Sequence, residues 1–332
     1  MSGNAKATAS AHPNIALVKY WGKRDEALVL PHNSSLSITI APLTVTTTVE
    51  FGAKSEHVEL NGRAAVGMER DRVLATIARV RSSTPKGLGH VKVASVGNFP
   101  AAAGLASSAA GFAALSVAGR AAADLLWNER ESSLLARLGS GSACRSIHGG
   151  TCVWHRGNRT DGSDSLAEQV FGPEHWPDLR LLAVLLDADE KEIGSREGMR
   201  RSVETSPFFA AWCADAEDEV PRAIERIRER DLAGLGEIAE RNAWRMHATA
   251  ISSDPAICYF APSTIALIRA VANERRRGLG VWFTLDAGPN PFILTDVHGE
   301  KDAERLARAC GAQNVISCRP GGSARLIDEH LF

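Results

Sequence analysis

Residues 98–109 read Asn-Phe-Pro-Ala-Ala-Ala-Gly-Leu-Ala-Ser-Ser-Ala, a turn of small residues between a β-alternating stretch and an Ala-rich one. Small side chains let backbone N–H groups approach a phosphate closely. A helix starting there adds unsatisfied donors and the positive end of its dipole. Ser107 and Ser108 offer hydroxyls to phosphate or Mg2+. The same composition also suits an Ala/Gly helix packed tightly on a sheet, and composition does not separate the two. The spacing is neither GxxxxGK[ST] nor the dinucleotide GxGxxG pattern.

Four further segments carry groups suited to anions or proton transfer. Residues 139–146, Gly-Ser-Gly-Ser-Ala-Cys-Arg-Ser, open a short helix whose Gly/Ser pairs form a second anion nest. Arg145 adds a planar fork for a carboxylate. Read alone, this is a cap and a surface arginine. Residues 14–24 crowd Lys19, Lys23 and Arg24 with Tyr20 and Trp21 at a strand end, which alone reads as a basic edge beside a buried Trp. In residues 191–199, Ser195 suits a helix N-cap, and Arg196 in the first turn opposes the helix dipole unless an anion sits there. Asp286, beside the turn Ala-Gly-Pro-Asn, is a carboxylate at a strand end and suits a base or a turn former equally.

These groups need a scaffold with a cleft. The chain has 332 residues, 44% hydrophobic and 23% charged, which suits two lobes rather than one core. A net charge of −1 supplies no basic field for nucleic acid or an anionic membrane. The six cysteines lack zinc-site or disulfide-framework spacing, which points to a reducing cytoplasm. The N-terminal segment has no apolar signal core. Residues 93–119 carry no charge, but they are mostly Ala, Gly and Ser and give too little transfer energy for a membrane span.

Alternating and β-branched patterns predict strands at 34–40, 44–51, 91–96, 149–155 and 180–186. Helical periodicity is expected at 69–80 and 105–126, as two or three helices over 196–248, and at 264–277. Residues 157–176 read as an exposed loop. A hairpin over 282–295, a helix over 301–310 and a strand over 314–318 are expected to close the chain. The pattern predicts an α+β protein with a lobe boundary near 180–190.

Together, the strings NIALVKYWGKRD, LPHNSSLSIT, NFPAAAGLASSAAGFAAL, GSGSACRSIHGG, GSREGM and TLDAGPN resemble, in order, the diphosphomevalonate decarboxylase family of the GHMP kinase superfamily. The resemblance covers nearly the whole chain. It implies a GHMP kinase fold with a ribosomal-protein-S5-like N-terminal lobe (1–185), a ferredoxin-like C-terminal lobe (186–332) and an active site in the cleft. It further implies MgATP-dependent decarboxylation of mevalonate 5-diphosphate to isopentenyl diphosphate, in the mevalonate pathway of isoprenoid biosynthesis.

By the same resemblance, Asp286, Arg145 and Lys191 are catalytic. Asn14, Lys19, Tyr20, Lys23, Ser140, Ser142, Ser195, Arg196 and Met199 contact the substrate together with Arg145. Asn98, Ala101, Ala102, Ala103, Gly104, Leu105, Ala106, Ser107 and Ser108 hold ATP with Lys191, and Ser108 lies near the metal. The expected setting is a cytoplasmic enzyme, possible as a homodimer, with no nucleic-acid or membrane partner. Gly97, Ala101, Leu138 and His148 depart from the family's usual residues near these loops. Competing readings are a decarboxylase of mevalonate 5-phosphate, a mevalonate 3-kinase and an inactive metabolite sensor. The presence of both Asp286 and Arg145 argues against the non-decarboxylating forms.

Overall fold

β-Strands occupy about half of residues 6–99, where Val, Ile and Thr alternate with polar residues. The computed structural model describes residues 6–99, 107–126, 128–187 and 192–332. β1 (Lys6–Ala11) and β2 (Asn14–Val18) come first, then the small hairpin β3 (Lys23–Asp25) and β4 (Leu30–Pro31). β5 (Ser35–Ala41), β6 (Val45–Ala53), β7 (His57–Leu60) and β8 (Arg63–Ala64) lead to helix α1 (Gly67–Ser82). β9 (His90–Gly97) precedes α2 (Ser107–Ala122) and α3 (Glu129–Gly139), and a 3₁₀ helix (Gly141–Ile147) continues from α3. β10 (Thr151–Trp154), β11 (Ala167–Phe171) and β12 (Leu179–Leu185) follow.

The second half is mostly helical: α4 (Ser195–Thr205), α5 (Phe209–Glu229), α6 (Leu232–Ile251) and α7 (Pro262–Arg276). β13 (Trp282–Thr284) and β14 (Phe292–Asp296) form the hairpin around Asp286. α8 (Glu300–Ala309), β15 (Asn314–Pro320) and β16 (Arg325–Ile327) complete the described chain.

One sheet runs β16-β1-β6-β9-β7-β8, with only β7 and β9 parallel among the described residues. The other runs β11-β10-β5-β15-β12-β14-β13, with β2 also on β5. Arg319 and Pro320 of β15 pair with Ala41 and Ile40 of β5, joining strands from the two halves of the chain into one sheet. α2 packs on the first sheet with Ala109, Ala113, Ala114 and Ala118 fully buried, so its small residues let the helix come close to the strands. Among the described residues no helix is long and apolar enough to cross a membrane.

Three expectations need correction. The helix expected to reach residue 126 ends at Ala122, because Asp124 adopts φ +57° and the chain leaves the helix there. The expected loop at 157–176 contains β11, whose Ala167–Phe171 stretch pairs antiparallel with β10. The strand at 314–318 does not close the chain: β16 follows and pairs with β1. α3 and β1 fall in stretches the sequence pattern left unassigned.

Candidate active site

The end of β2 and the β13–β14 turn bring Lys19 and Asp286 together. Lys19 Nζ donates to Asp286 Oδ1 at 2.6 Å and to the Ala16 carbonyl at 2.8 Å. Thr284, at the end of β13, donates to the same Ala16 carbonyl at 3.4 Å, so both partners are tied to one peptide of β2. The Lys19 side chain is 2% exposed and that of Asp286 36%, so the carboxylate faces open space while the ammonium lies behind it. Burial pushes the Lys19 ammonium below its ordinary range; Asp286 opposes that shift and Arg145 adds to it. Behind the pair lies His247, pushed down to about 4 by burial and by Lys19; its Nε2 donates to the Leu285 carbonyl at 3.4 Å.

The 3₁₀ helix Gly141–Ile147 aims Arg145 into the same region. Its Nε donates to Asn14 Oδ1 at 3.1 Å and one terminal nitrogen donates to Ser35 Oγ at 2.5 Å. Asn14 is oriented in turn by donating to the Ser142 carbonyl at 3.0 Å and to Ser146 Oγ at 2.7 Å. Arg145 is 2% exposed, lies 5.9 Å from the Trp154 ring centre and has no carboxylate partner among the described residues. Burial lowers its affinity for its proton, while Asp286 acts in the opposite sense. A buried guanidinium with its remaining terminal nitrogen unspent is a receptor for an incoming carboxylate.

Tyr20 packs edge-on to Trp154, with ring centres 4.6 Å apart. Its hydroxyl is buried without a hydrogen-bond partner among the described residues, and burial raises its pKa. A Cβ on Gly141 would lie 2.8 Å from that ring, so only glycine lets the loop reach Tyr20. Ser140 caps α3 and approaches Ser108 Oγ at 3.3 Å, bringing the start of α2 to the 140–146 loop. The α2–α3 unit is thus what joins the two Gly/Ser segments.

α4 carries Ser195, Arg196 and Met199. The expectation that Ser195 is the N-cap is corrected: Gly194 holds that position and Ser195 is the first helical residue. Met199 is buried. Trp21 Nε1 donates to Ser202 Oγ at 3.0 Å, fixing α4 against the 19–23 segment. Lys23 is paired with Glu26 at 2.5 Å. Asn98 accepts from the Thr44 N–H at 2.8 Å and donates to the Pro42 carbonyl at 3.0 Å, so its amide anchors the turn to the β5–β6 connection. Ala101, Ala102, Ala103, Gly104, Leu105, Ala106 and Lys191 lie outside the described residues.

A cavity of about 170 Å³ opens beside Ser107 and Ser108, walled by strands β6 and β9 and by α1 and α2. Its lining includes Arg72, which sequence reading missed. Arg72 stacks on Phe112 at 4.6 Å and donates to the Gly139 carbonyl at 2.8 Å, the acceptor that Arg196 also approaches. Burial, reinforced by Arg196, pushes Arg72 down to about 10. On an amphipathic helix such an arginine reads as part of the solvated face, and no local signal marked it.

The mixed α+β architecture is a GHMP kinase-type fold with two domains. Residues 11–167 match the model of the diphosphomevalonate decarboxylase-like N-terminal domain and 181–318 that of the mevalonate 5-diphosphate decarboxylase C-terminal domain. The chain belongs to the diphosphomevalonate decarboxylase family. It is 42% identical to diphosphomevalonate decarboxylase of Aspergillus fumigatus, over 91% of this chain and 79% of that one. The human diphosphomevalonate decarboxylase is 41% identical over 88% and 77%. A structure of MDDEF in complex with MVAPP, AMPPCP and magnesium is similar at TM-score 0.91 and 35% identity, covering 98% of this chain and 99% of that one.

Proposed function

We propose that this enzyme phosphorylates the tertiary 3-hydroxyl of (R)-mevalonate 5-diphosphate with MgATP, then releases phosphate and CO2 to give isopentenyl diphosphate and ADP. The observation that carries the reading is the 2.6 Å Lys19–Asp286 contact, with the carboxylate facing outward and Arg145 buried nearby.

In this reading Asp286 accepts the hydroxyl proton as the oxygen attacks the γ-phosphorus, and the bond to the ADP oxygen breaks. Lys19 keeps Asp286 aimed by donating to its Oδ1. The C3–O bond then breaks with its electron pair leaving on phosphate. The C1–C2 pair closes the C2=C3 bond as CO2 departs. Arg145 holds the substrate carboxylate in the plane of its fork, with Asn14 and Ser35 fixing the fork. Tyr20, Lys23, Ser140, Ser142, Ser195 and Arg196 bind the substrate and its diphosphate, and Met199 packs beside them. Phosphoryl transfer asks chiefly for positioning and charge stabilisation, and this set is made for both.

The cavity beside Ser107 and Ser108 takes the nucleoside. Asn98, residues 101–106 and Lys191 hold the ATP phosphates. Among the described residues no three His, Cys, Asp or Glu side chains gather as a metal cage, while the exposed Ser108 offers a hydroxyl at the start of α2. That donor set fits Mg2+ arriving on phosphate oxygens. Bound there, the ion supplies neutralisation of phosphate charge.

The reading divides the chain into an N-terminal lobe (1–185) and a C-terminal lobe (186–332) bearing Asp286, supported by the change from strands to helices α4–α7. A cytoplasmic location is supported by six free cysteines. A homodimer is supported by the exposed apolar side chains of Trp244, Ile251 and Ile265 on α6 and α7.

The test measures ADP and CO2 release with mevalonate, its 5-phosphate and its 5-diphosphate in parallel. Equal, coupled release with the diphosphate alone is expected, and strong turnover of the monophosphate would overturn the substrate assignment. Asp286→Asn should lower kcat by roughly 10²- to 10⁴-fold with ATP binding retained.

A further inference from the structure

Lys19 is gripped on its backbone as well as at its ammonium. Its N–H donates to Asn242 Oδ1 at 2.7 Å, and its carbonyl accepts from Asn33 Nδ2 at 2.9 Å. Both asparagines are fully buried. Asn242 sits on α6, more than two hundred positions from Lys19, and Asn33 lies in the turn before β5.

A third residue orients the first amide. Asn242 Nδ2 donates to Glu219 Oε2 at 2.7 Å, while Glu219 Oε1 accepts from Arg241 Nε at 2.7 Å. Glu219 is 2% exposed. An asparagine amide has one acceptor end and one donor end, so a carboxylate on one side forces the oxygen toward the Lys19 N–H. Glu217, two residues earlier on α5, accepts from the Ser34 N–H at 2.6 Å and so fixes the turn that holds Asn33. A buried carboxylate is a costly way to stabilise a core, since well-packed apolar residues serve at least as well. Its use here is explained by geometry.

We propose that Asn242, wedged by Glu219, and Asn33 are positioning residues for the Lys19–Asp286 pair, acting on turnover and not on substrate binding. The inference rests on the functional reading above. The two asparagines fix the peptide from which the Lys19 side chain springs, and a displacement of about 1 Å at a reacting group costs on the order of 10²-fold in rate.

Asn242→Asp keeps an acceptor for the Lys19 N–H but sets two carboxylates where a 2.7 Å donor–acceptor contact stood. The expected result is a fall in kcat of about 10²-fold, with KM for both substrates changed by less than about threefold. Adding Glu219→Gln restores a donor toward residue 242 and leaves an acceptor for Arg241, so most of the lost kcat should return. Asn33→Ser removes the other amide without touching Glu219 and should lower kcat about tenfold with KM unmoved. Rates are taken per folded, nucleotide-binding molecule, so a loss of folding alone does not register. Unchanged kcat in both single variants, or a double variant no better than Asn242→Asp, would overturn the proposal.

A readout without turnover separates this from the functional reading. The 15N titration of the Lys19 ammonium, which is surrounded by Asp286, Arg145 and His247, should shift in Asn242→Asp and return in the double variant. A wild-type enzyme that fails to turn over the diphosphate sinks the functional reading. An unmoved Lys19 titration sinks the positioning role.

Discussion

Arg72 and Arg196 converge on a single acceptor, the carbonyl oxygen of Gly139, at 2.8 Å and 3.4 Å. They come from α1 and α4, and the acceptor immediately precedes the loop that carries Ser140 and Ser142. Two guanidinium groups sharing one neutral oxygen repel each other, and an anion placed between them removes that repulsion.

Arg72→Ala therefore weakens binding of the substrate diphosphate, the anion that Arg196 takes. Loss of a charge-assisted hydrogen bond of about 1.5–3 kcal/mol corresponds to a rise in the KM for mevalonate 5-diphosphate of roughly 10- to 100-fold. The kcat at saturating diphosphate should stay within about threefold of wild type, because Arg72 does not touch the Lys19–Asp286 pair. Initial rates across a diphosphate series check the split.

Arg145→Lys tests the planar fork. A lysine keeps the charge but cannot serve Asn14, Ser35 and a carboxylate in one plane. Loss of about 1.5–3 kcal/mol predicts a fall in kcat/KM for the diphosphate of roughly 10- to 100-fold, with ATP affinity preserved. Parallel measurement of CO2 release and ATP binding decides it.

His247 makes stability depend on pH. Its folded-state value of about 4 lies below the ordinary 6.5, so the unfolded chain binds the proton first as pH falls. Its contribution is fully present above about pH 6.5 and is lost as pH drops toward 4; at roughly 1.4 kcal/mol per pKa unit it is on the order of 3 kcal/mol. His12, His32 and His148 are lowered by burial and act with the same sign. Urea midpoints measured between pH 7 and 4 should fall, and His247→Phe should flatten part of that slope. An unchanged slope in the variant would remove His247 from the account.

Sequence and structure agree best where chemistry is written in consecutive residues. The Asp286 turn, the Gly/Ser loop ahead of Arg145 and the Ser107–Ser108 helix start are local patterns, and each appears where its string placed it. α3 escaped notice because its buried face holds Ser132, Ser133 and Arg137, residues that read as surface. Arg137 Nη1 donates to the carbonyls of Gly162 and Ser165, which no pattern within the helix announces. β1 escaped because Lys-Ala-Thr-Ala-Ser-Ala has little apolar contrast. Arg72 and the Glu219–Asn242 clamp depend on partners that are far apart in sequence, so nothing near any of them encodes the contact.

β16 zips onto β1 with Ile327 opposite Thr8, and Lys6 reaches the Phe332 carbonyl across 326 positions. During synthesis β1 must therefore wait, with one edge bare, until β16, more than three hundred positions later, has left the ribosome. Such remote pairing slows folding and leaves a strand edge open to other chains meanwhile. The sparse apolar content of β1, the property that hid it in the sequence, makes that waiting edge a poor template for aggregation.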